Sequence, residues 1–166
     1  MKIEYYHASR FGNGAEVAEE FRRQAGLLGA TVEVHHIRDA DPRNLPSADL
    51  YVFSSPGQWG KPIKRVRRFL GELDLPAGTK CAVLTTEIAP RPDKQTGVLP
   101  TEEEQAKWQK VRPIINELLE NAGLTRVAED RILVTEIRGP LEDGWEAKVR
   151  SFAEQVVTET VGVQTQ

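Results

Sequence analysis

Short runs of apolar residues alternate along the chain with longer stretches in which apolar residues recur every three or four positions. The short runs predict strands, and the longer stretches predict helices with one apolar face toward a core. The predicted strands are residues 3–6, 31–37, 50–53, 80–85 and 131–137. The predicted helices are residues 15–28, 62–73, 101–121 and 145–157. Pro113 falls inside the third helix and is expected to kink it.

The order of these elements predicts an α/β fold. The continuously apolar strands 50–53 and 80–85 are typical of parallel strands covered on both faces, whereas the alternating pattern of 31–37 is typical of an edge strand. Short connections favour right-handed crossovers and helices on both faces of the sheet. We therefore expect a three-layer, doubly wound, five-stranded parallel sheet. It forms one domain over residues 1–160, followed by a tail at 161–166.

Three polar loops follow the carboxyl ends of predicted strands, at residues 7–14, 54–61 and 86–100. Ligands of doubly wound sheets bind beyond these ends. The first loop leads into a helix start, where unpaired N–H groups and the helix dipole favour an anion. Neither of the two familiar glycine-rich nucleotide fingerprints is present. From the residues alone, the loop is either a phosphate anchor or an ordinary strand-to-helix turn.

Composition excludes several classes of function. The chain has 166 residues and a net charge of −3, which gives no push toward nucleic acid. No apolar run is as long as a membrane span, and the first residues enter a strand pattern without a signal peptide. The single cysteine, Cys81, lies in an apolar run, so we expect a buried thiol in a cytoplasmic protein. His7, His35 and His36 lack metal-ligand spacing, and His7 is interpreted as a satisfied polar residue.

A basic cluster begins the second predicted helix. It consists of Lys61, Lys64, Arg65, Arg67 and Arg68. Helix starts usually favour acidic residues, because the dipole is positive there. The cluster is therefore either a solvated helix face or a docking patch for an acidic or phosphorylated partner.

Three segments in order resemble the flavin loops of the flavodoxin family. Residues 9–14, Ser-Arg-Phe-Gly-Asn-Gly, line up with the family's Ser-x-Thr-Gly-Asn-Thr phosphate loop. Residues 54–60, Ser-Ser-Pro-Gly-Gln-Trp-Gly, resemble its Ser-Pro-x-x-aromatic-Gly loop, and Thr85-Thr86-Glu87 stands where the third loop begins. The resemblance covers nearly the whole chain. It implies strand order 2-1-3-4-5, bound FMN, and electron transfer between redox partner proteins.

The resemblance also implies a set of cofactor-binding residues: Ser9, Arg10, Phe11, Gly12, Asn13, Gly14, Ser55, Pro56, Gly57, Gln58, Trp59, Gly60, Thr86 and Glu87. Loop 9–14 would anchor the phosphate, with Arg10 supplying charge where Phe11 and Gly14 replace the family's threonines. Trp59 would lie against the flavin ring instead of packing on its own helix cap.

The remaining candidates carry less specific interpretations. Glu87 would either meet the polar edge of the ring through its backbone or face solvent as a loop acid. Trp108 and Trp145 are interpreted as packing residues, because both fall at helical positions. No catalytic residue and no metal ligand is singled out.

Two other functions stay open beside an electron carrier. One is a small FMN-dependent reductase of the NAD(P)H/quinone type, with residues 86–100 as its lid. No NAD(P)H motif accompanies it. The other is a flavodoxin-shaped interaction module that has lost flavin, which the replacements at Phe11 and Gly14 keep open.

Overall fold

The apolar runs form the strands of one parallel sheet in a computed structural model that describes residues 1–162. The strands in chain order are β1 (Lys2–His7), β2 (Thr31–His36), β3 (Leu50–Phe53), β4 (Gly57–Gln58), β5 (Lys61–Pro62), β6 (Lys80–Ile88) and β7 (Thr125–Val134). The helices are α1 (Asn13–Leu27), α2 (Lys64–Gly71), α3 (Glu102–Trp108), α4 (Val111–Asn121) and α5 (Trp145–Gly162), with a 3₁₀ turn at Ile37–Asp39.

The main sheet has the order β2-β1-β3-β6-β7, and all neighbouring strands are parallel. Strands β4 and β5 form a separate antiparallel pair inside the second polar loop. With the five sheet strands counted in chain order, this is the order 2-1-3-4-5. The doubly wound sheet and its strand order are therefore confirmed, as is the edge position of β2.

Adjacent residues of the strands face two cores on opposite sides of the sheet. Tyr5 points to one side, where its ring lies 5.3 Å from Phe21 of α1, and Phe21 lies 5.8 Å from Phe152 of α5. Tyr6 points to the other side, 5.7 Å from Phe69 of α2. Each buried ring contributes roughly 1.5–3 kcal/mol by leaving water. The alternation thus stabilises a three-layer structure. None of the helices in residues 1–162 combines the length and apolarity needed to cross a bilayer.

The third predicted helix is two helices, and the prediction of a kink at Pro113 is wrong. The helical stretch breaks at residues 109 and 110, between α3 and α4. Pro113 is the third residue of α4 and so lies in its first turn, where backbone N–H groups have no partner inside the helix. A proline there removes no helical hydrogen bond. Pro62, expected in the first turn of the second helix, instead pairs with Gly57 in β5.

The later strands and the last helix also differ from their predicted bounds. β7 begins at Thr125, six residues before the predicted start. The apolar pattern did not indicate this first half, Thr-Arg-Val-Ala-Glu-Asp, because it is polar, as an edge strand can be. β6 continues through Ile88 and takes Thr86 and Glu87 out of the predicted loop. α5 includes residues 161 and 162 of the predicted tail, and residues 163–166 lie outside the described part. Cys81 is buried as expected, and its burial raises the pKa of the thiol to about 12.

The β4–β5 hairpin raises Trp59 above the sheet. Trp59 and Gly60 form its two-residue turn, with φ of 54° and 72°. Positive φ at both positions is what a type I′ turn requires. A Cβ on Gly60 would lie 2.1 Å from the carbonyl oxygen of Trp108, while the Gly60 carbonyl accepts the N–H of Lys110 at 2.7 Å. The hairpin therefore rests directly on the break between α3 and α4.

Replacing Gly60 by alanine tests this contact. Gly60→Ala combines an unfavourable φ with a collision against backbone, so we expect a loss of more than about 2 kcal/mol of unfolding free energy. Gly78→Ala is the matched control, since Gly78 has φ of 84° with open space at the Cβ position. It should lose only about 1 kcal/mol. Urea denaturation measures both variants. Equal losses would contradict the close approach of Gly60 to Trp108.

Candidate functional site

The first two polar loops and the end of β6 meet around one cavity at the carboxyl end of the sheet. Its volume is about 570 Å³, within the range of small-molecule sites. All the cofactor-binding residues that the flavodoxin resemblance implies line this cavity, except Gly12, Ser55 and Glu87. The structure adds six lining residues outside that set: Ile63, Ile88, Trp108, Val134, Glu136 and Ile137. The first two loops thus converge as their positions after parallel strands predict, whereas no residue of 89–100 is among the described residues that line the cavity.

Loop 9–14 leaves the start of α1 open. Gly12 precedes the helix with φ of 93°, and no side chain caps the helix start. The hydroxyl of Ser9 accepts the N–H of Gly12 at 2.9 Å, which curls the loop back on itself. A Cβ on Gly14 would lie 3.4 Å from the Cβ of Ser9, so the loop has little room for a larger residue there. An uncapped helix start beside a cavity is a site where an anion is stabilised.

Phe11 holds two positively charged side chains beside this loop. The guanidinium carbons of Arg10 and Arg138 lie 5.7 Å and 5.4 Å from the centre of its ring. These are cation–π distances. Arg138 follows β7 and was missed in the sequence, where the region read as a strand end and a turn. Its neighbour Gly139 is close to Asn13, since a Cβ there would lie 3.0 Å from the amide oxygen. Two positive charges therefore lie beside loop 9–14.

Two tryptophans line the opposite part of the cavity. Trp59 is 94% exposed, so it does not pack on its own helix cap. Trp108, the last residue of α3, is 45% exposed and also lines the cavity. The interpretation of Trp108 as a packing residue is therefore wrong, because the helix break turns it toward the hairpin. Trp145, in contrast, packs against the core as expected. The sequence signal that Trp108 does not face a core was its position between the acidic helix start and two polar residues.

Glu87 is neither exposed nor in the cavity. As a residue of β6 it points to the α4 side of the sheet and is 1% exposed. Arg112 donates to its carboxylate at 2.8 Å, and Arg131 lies 3.4 Å from the other oxygen. The hydroxyl of Thr85 donates to it as well. A buried carboxylate needs such partners, so the side chain of Glu87 joins α4 and β7 to β6 and does not face solvent. A contact of the Glu87 backbone with a flavin ring stays a prediction.

Thr86 points the other way and lines the cavity. Its N–H donates to the carbonyl of Ser55 at 3.2 Å, and it bridges to Pro56. These bonds fix the start of the second loop against the end of β6. Ser55 is fully buried behind this contact, which explains its absence from the cavity wall.

His7 supports loop 9–14 through a hydrogen bond. It ends β1, is 8% exposed, and accepts the N–H of Ser9 at 3.2 Å through Nδ1. Its ring lies edge-on to His36 at 5.1 Å. Burial, together with the nearby His36 and Arg38, lowers the pKa of His7 to about 4. The imidazole is therefore neutral near pH 7, and its interpretation as a satisfied polar residue is confirmed.

The lowered pKa of His7 predicts a loss of stability in mild acid. The unfolded histidine binds a proton below about pH 6.5, whereas the folded one does so only near pH 4. Unfolding therefore becomes easier as the pH falls between these values, by up to about 3 kcal/mol. Urea unfolding at pH 7, 5.5 and 4.5 should show this decrease in the parent protein but not in His7→Gln. Parallel pH curves for the two proteins would contradict the buried neutral imidazole.

Comparison with known proteins shows which fold this site belongs to. No protein-family profile and no curated protein matches the sequence. Among solved structures, the chain is similar to an archaeal flavodoxin, with 15% identity, coverage of 96% of this chain and 99% of that one, and a TM-score of 0.67.

Two further structures agree. Oxidised flavodoxin 1 from Bacillus cereus is 19% identical, with coverage of 95% and 98% and a TM-score of 0.66. Rubredoxin oxygen:oxidoreductase from Desulfovibrio gigas is 10% identical, and its match covers 97% of this chain but 36% of the longer protein, with a TM-score of 0.68. The chain therefore has the flavodoxin fold over nearly its whole length.

Proposed function

We propose that this protein binds FMN in the cavity at the carboxyl end of the sheet and carries electrons between redox partner proteins. Trp59 is the observation that carries the proposal. Its ring is 94% exposed above the cavity on a backbone with φ of 54°, where a residue other than glycine costs about 1–2 kcal/mol. Strained backbone under an exposed indole is characteristic of a ligand site. A flat flavin ring against this indole would take both out of water.

The opposite end of the cavity suits a phosphate group. The open start of α1 offers backbone N–H groups, and Arg10 lines the cavity. Arg138 is not among the described lining residues, but it adds charge beside Phe11, which does line the cavity. Glu136 is the only acid among the described residues that line the cavity. When bound, FMN supplies reversible electron transfer, and the residues of the chain bind and orient it and shield its ring from water. Thr86 would contribute a backbone group near the ring.

Flavin titration tests the binding site. Adding the protein to FMN should quench flavin fluorescence, because the ring stacks on an indole. Trp59→Ala should weaken FMN binding by about tenfold, from the loss of stacking and of apolar contact. Leu27→Ala, which removes an exposed apolar side chain at the end of α1, is the control and should leave the affinity unchanged. No quenching by the parent protein would overturn the proposal.

A comparison of FMN with riboflavin, which lacks the phosphate group, distinguishes the contribution of the phosphate anchor to affinity from that of the ring site. Arg10→Gln and Arg138→Gln should each weaken FMN binding about three- to tenfold, while riboflavin affinity stays the same. Equal losses for both flavins would show that the arginines act on the ring or on the fold.

Electron transfer between proteins is favoured over a stand-alone reductase. Of the predicted lid, residues 86–100, the described lining of the cavity includes Thr86 and Ile88, which belong to β6, but no residue of 89–100. A reductase would oxidise NAD(P)H steadily with this protein alone, whereas a carrier needs a second redox protein. The single cysteine, Cys81, is buried and free, which supports a location in the reducing cytoplasm.

The basic cluster is proposed as the surface where a redox partner docks. All five of its side chains are exposed. Lys61 pairs with Gln58 in the hairpin that carries Trp59, so the cluster begins beside the proposed ring site. Arg68 approaches one acid, Glu72, at 3.7 Å across two exposed side chains, and such a pair is weak in water. A positive surface next to a redox group steers an acidic partner into productive contact.

Charge reversal tests this surface. In the FMN-loaded protein, Arg67→Glu with Arg68→Glu should slow reduction by a plant-type ferredoxin, an acidic electron donor, about tenfold at low salt. The difference should shrink as salt increases. Arg22→Glu with Arg150→Glu makes the same charge change on α1 and α5 and should keep the parent rate. Equal slowing by both pairs, or no slowing, would contradict docking at the basic cluster.

A further inference from the structure

A second cleft opens beside the phosphate loop, on the side of β2. Its volume is about 340 Å³, and its lining includes Ser9, Arg10, His36, Arg38, Ile63 and Arg65. Ser9, Arg10 and Ile63 also line the main cavity. The two spaces are therefore neighbours that share part of the phosphate loop, but the cleft is separate from the wall formed by the two tryptophans.

Three arginines from distant parts of the sequence converge on this cleft. Arg10 lies in the loop after β1, Arg38 in the 3₁₀ turn after β2, and Arg65 in the first turn of α2. No acidic residue is among the described residues that line the cleft. Like charges held in one concave site repel each other, and an anion bound between them would remove that cost.

The charges of the cleft are largely unpaired within the described chain. Arg38 approaches Asp39 at 3.7 Å, and both side chains are mostly exposed, which makes the pair weak. Arg65 forms no ion pair with any residue from 1 to 162. Arg38 also acts on His7 behind the cleft, where burial is the main cause of the lowered pKa and the charge of Arg38 adds to it. The field therefore favours a negative ligand.

The shape and chemistry of the cleft narrow the ligand class. Guanidinium groups present planar pairs of N–H donors that match phosphate oxygens. The volume exceeds what a bare phosphate ion fills, and Ile63 supplies an apolar wall for an organic group. We propose that this cleft binds the phosphate group of a small ligand through Arg10, Arg38 and Arg65. This site is additional to the phosphate anchor proposed for FMN, because Arg38 and Arg65 do not line the flavin cavity.

Calorimetric titration of the FMN-saturated protein tests the site while the phosphate loop is occupied. The probes are AMP, inorganic phosphate and adenosine, at pH 7.5 and low ionic strength. AMP and phosphate should bind, adenosine should not, and binding should weaken as salt increases. Tighter binding of AMP than of phosphate identifies a phosphorylated organic ligand as the occupant, and equal binding identifies free phosphate. No binding of either phosphate probe would overturn the proposal.

Substitution of the exposed arginines distinguishes this cleft from a general effect of positive charge. Arg38→Gln and Arg65→Gln should each weaken AMP or phosphate binding about tenfold, by removing one charged donor. Arg150→Gln removes an exposed arginine from α5 and should leave that binding unchanged. Equal losses in all three variants would overturn the assignment to the cleft.

FMN affinity provides the second readout. Arg38→Gln and Arg65→Gln should change it by no more than about twofold, since neither residue lines the flavin cavity. If the parent protein binds no FMN, the same titrations are made on the flavin-free protein. Loss of phosphate binding in both variants then supports the cleft, although the proposed flavin function fails. Flavin binding with no effect of the two variants on phosphate would reject the cleft alone.

Discussion

The contact between Gly60 and the break in the third helical stretch is the constraint on which the site depends. Gly60 has no side chain, so its backbone approaches the carbonyl of Trp108 and accepts the N–H of Lys110. In a continuous helix, this N–H of Lys110 would donate to a carbonyl of the preceding helical turn. The helical stretch therefore ends at Trp108 and restarts at Val111. One backbone contact thus places both indoles at the same cavity.

The contact is held in position by a charged network beneath it. Glu87 is buried between Arg112 and Arg131, and the guanidinium of Arg131 also lies 3.4 Å from the side-chain oxygen of Gln105 in α3. Burying a carboxylate costs several kcal/mol unless it is paired and hydrogen-bonded. Both arginines keep part of their surface in water, which lowers the cost of the arrangement. The network joins the two helices to the central sheet.

The sequence carried most of the fold because residues 50–53 and 80–85 are continuously apolar, which is typical of central parallel strands, and a short apolar run at 3–6 precedes the first loop. It also located the three loops, since their place follows from the ends of those strands. The sequence did not predict where the side chains of Trp108, Arg138 and Glu87 lie. Each is placed by a segment distant in sequence: Trp108 by the hairpin at Gly60, Arg138 by the ring of Phe11, and Glu87 by two arginines. The local pattern of apolar and polar residues does not reveal contacts between segments that are distant in sequence.

At the proposed phosphate anchor, Phe11 stands where the resembled loop pattern has a threonine. A threonine hydroxyl offers one neutral donor at short range, whereas an aromatic ring offers none. In this chain the ring instead positions Arg10 and Arg138, whose charge acts over a longer distance and through several donors. Recognition by charge discriminates strongly between a phosphorylated ligand and its neutral parent, but it weakens as salt screens it. In the proposed anchor, the open start of α1 would supply the backbone N–H groups, and the two arginines would supply much of the attraction.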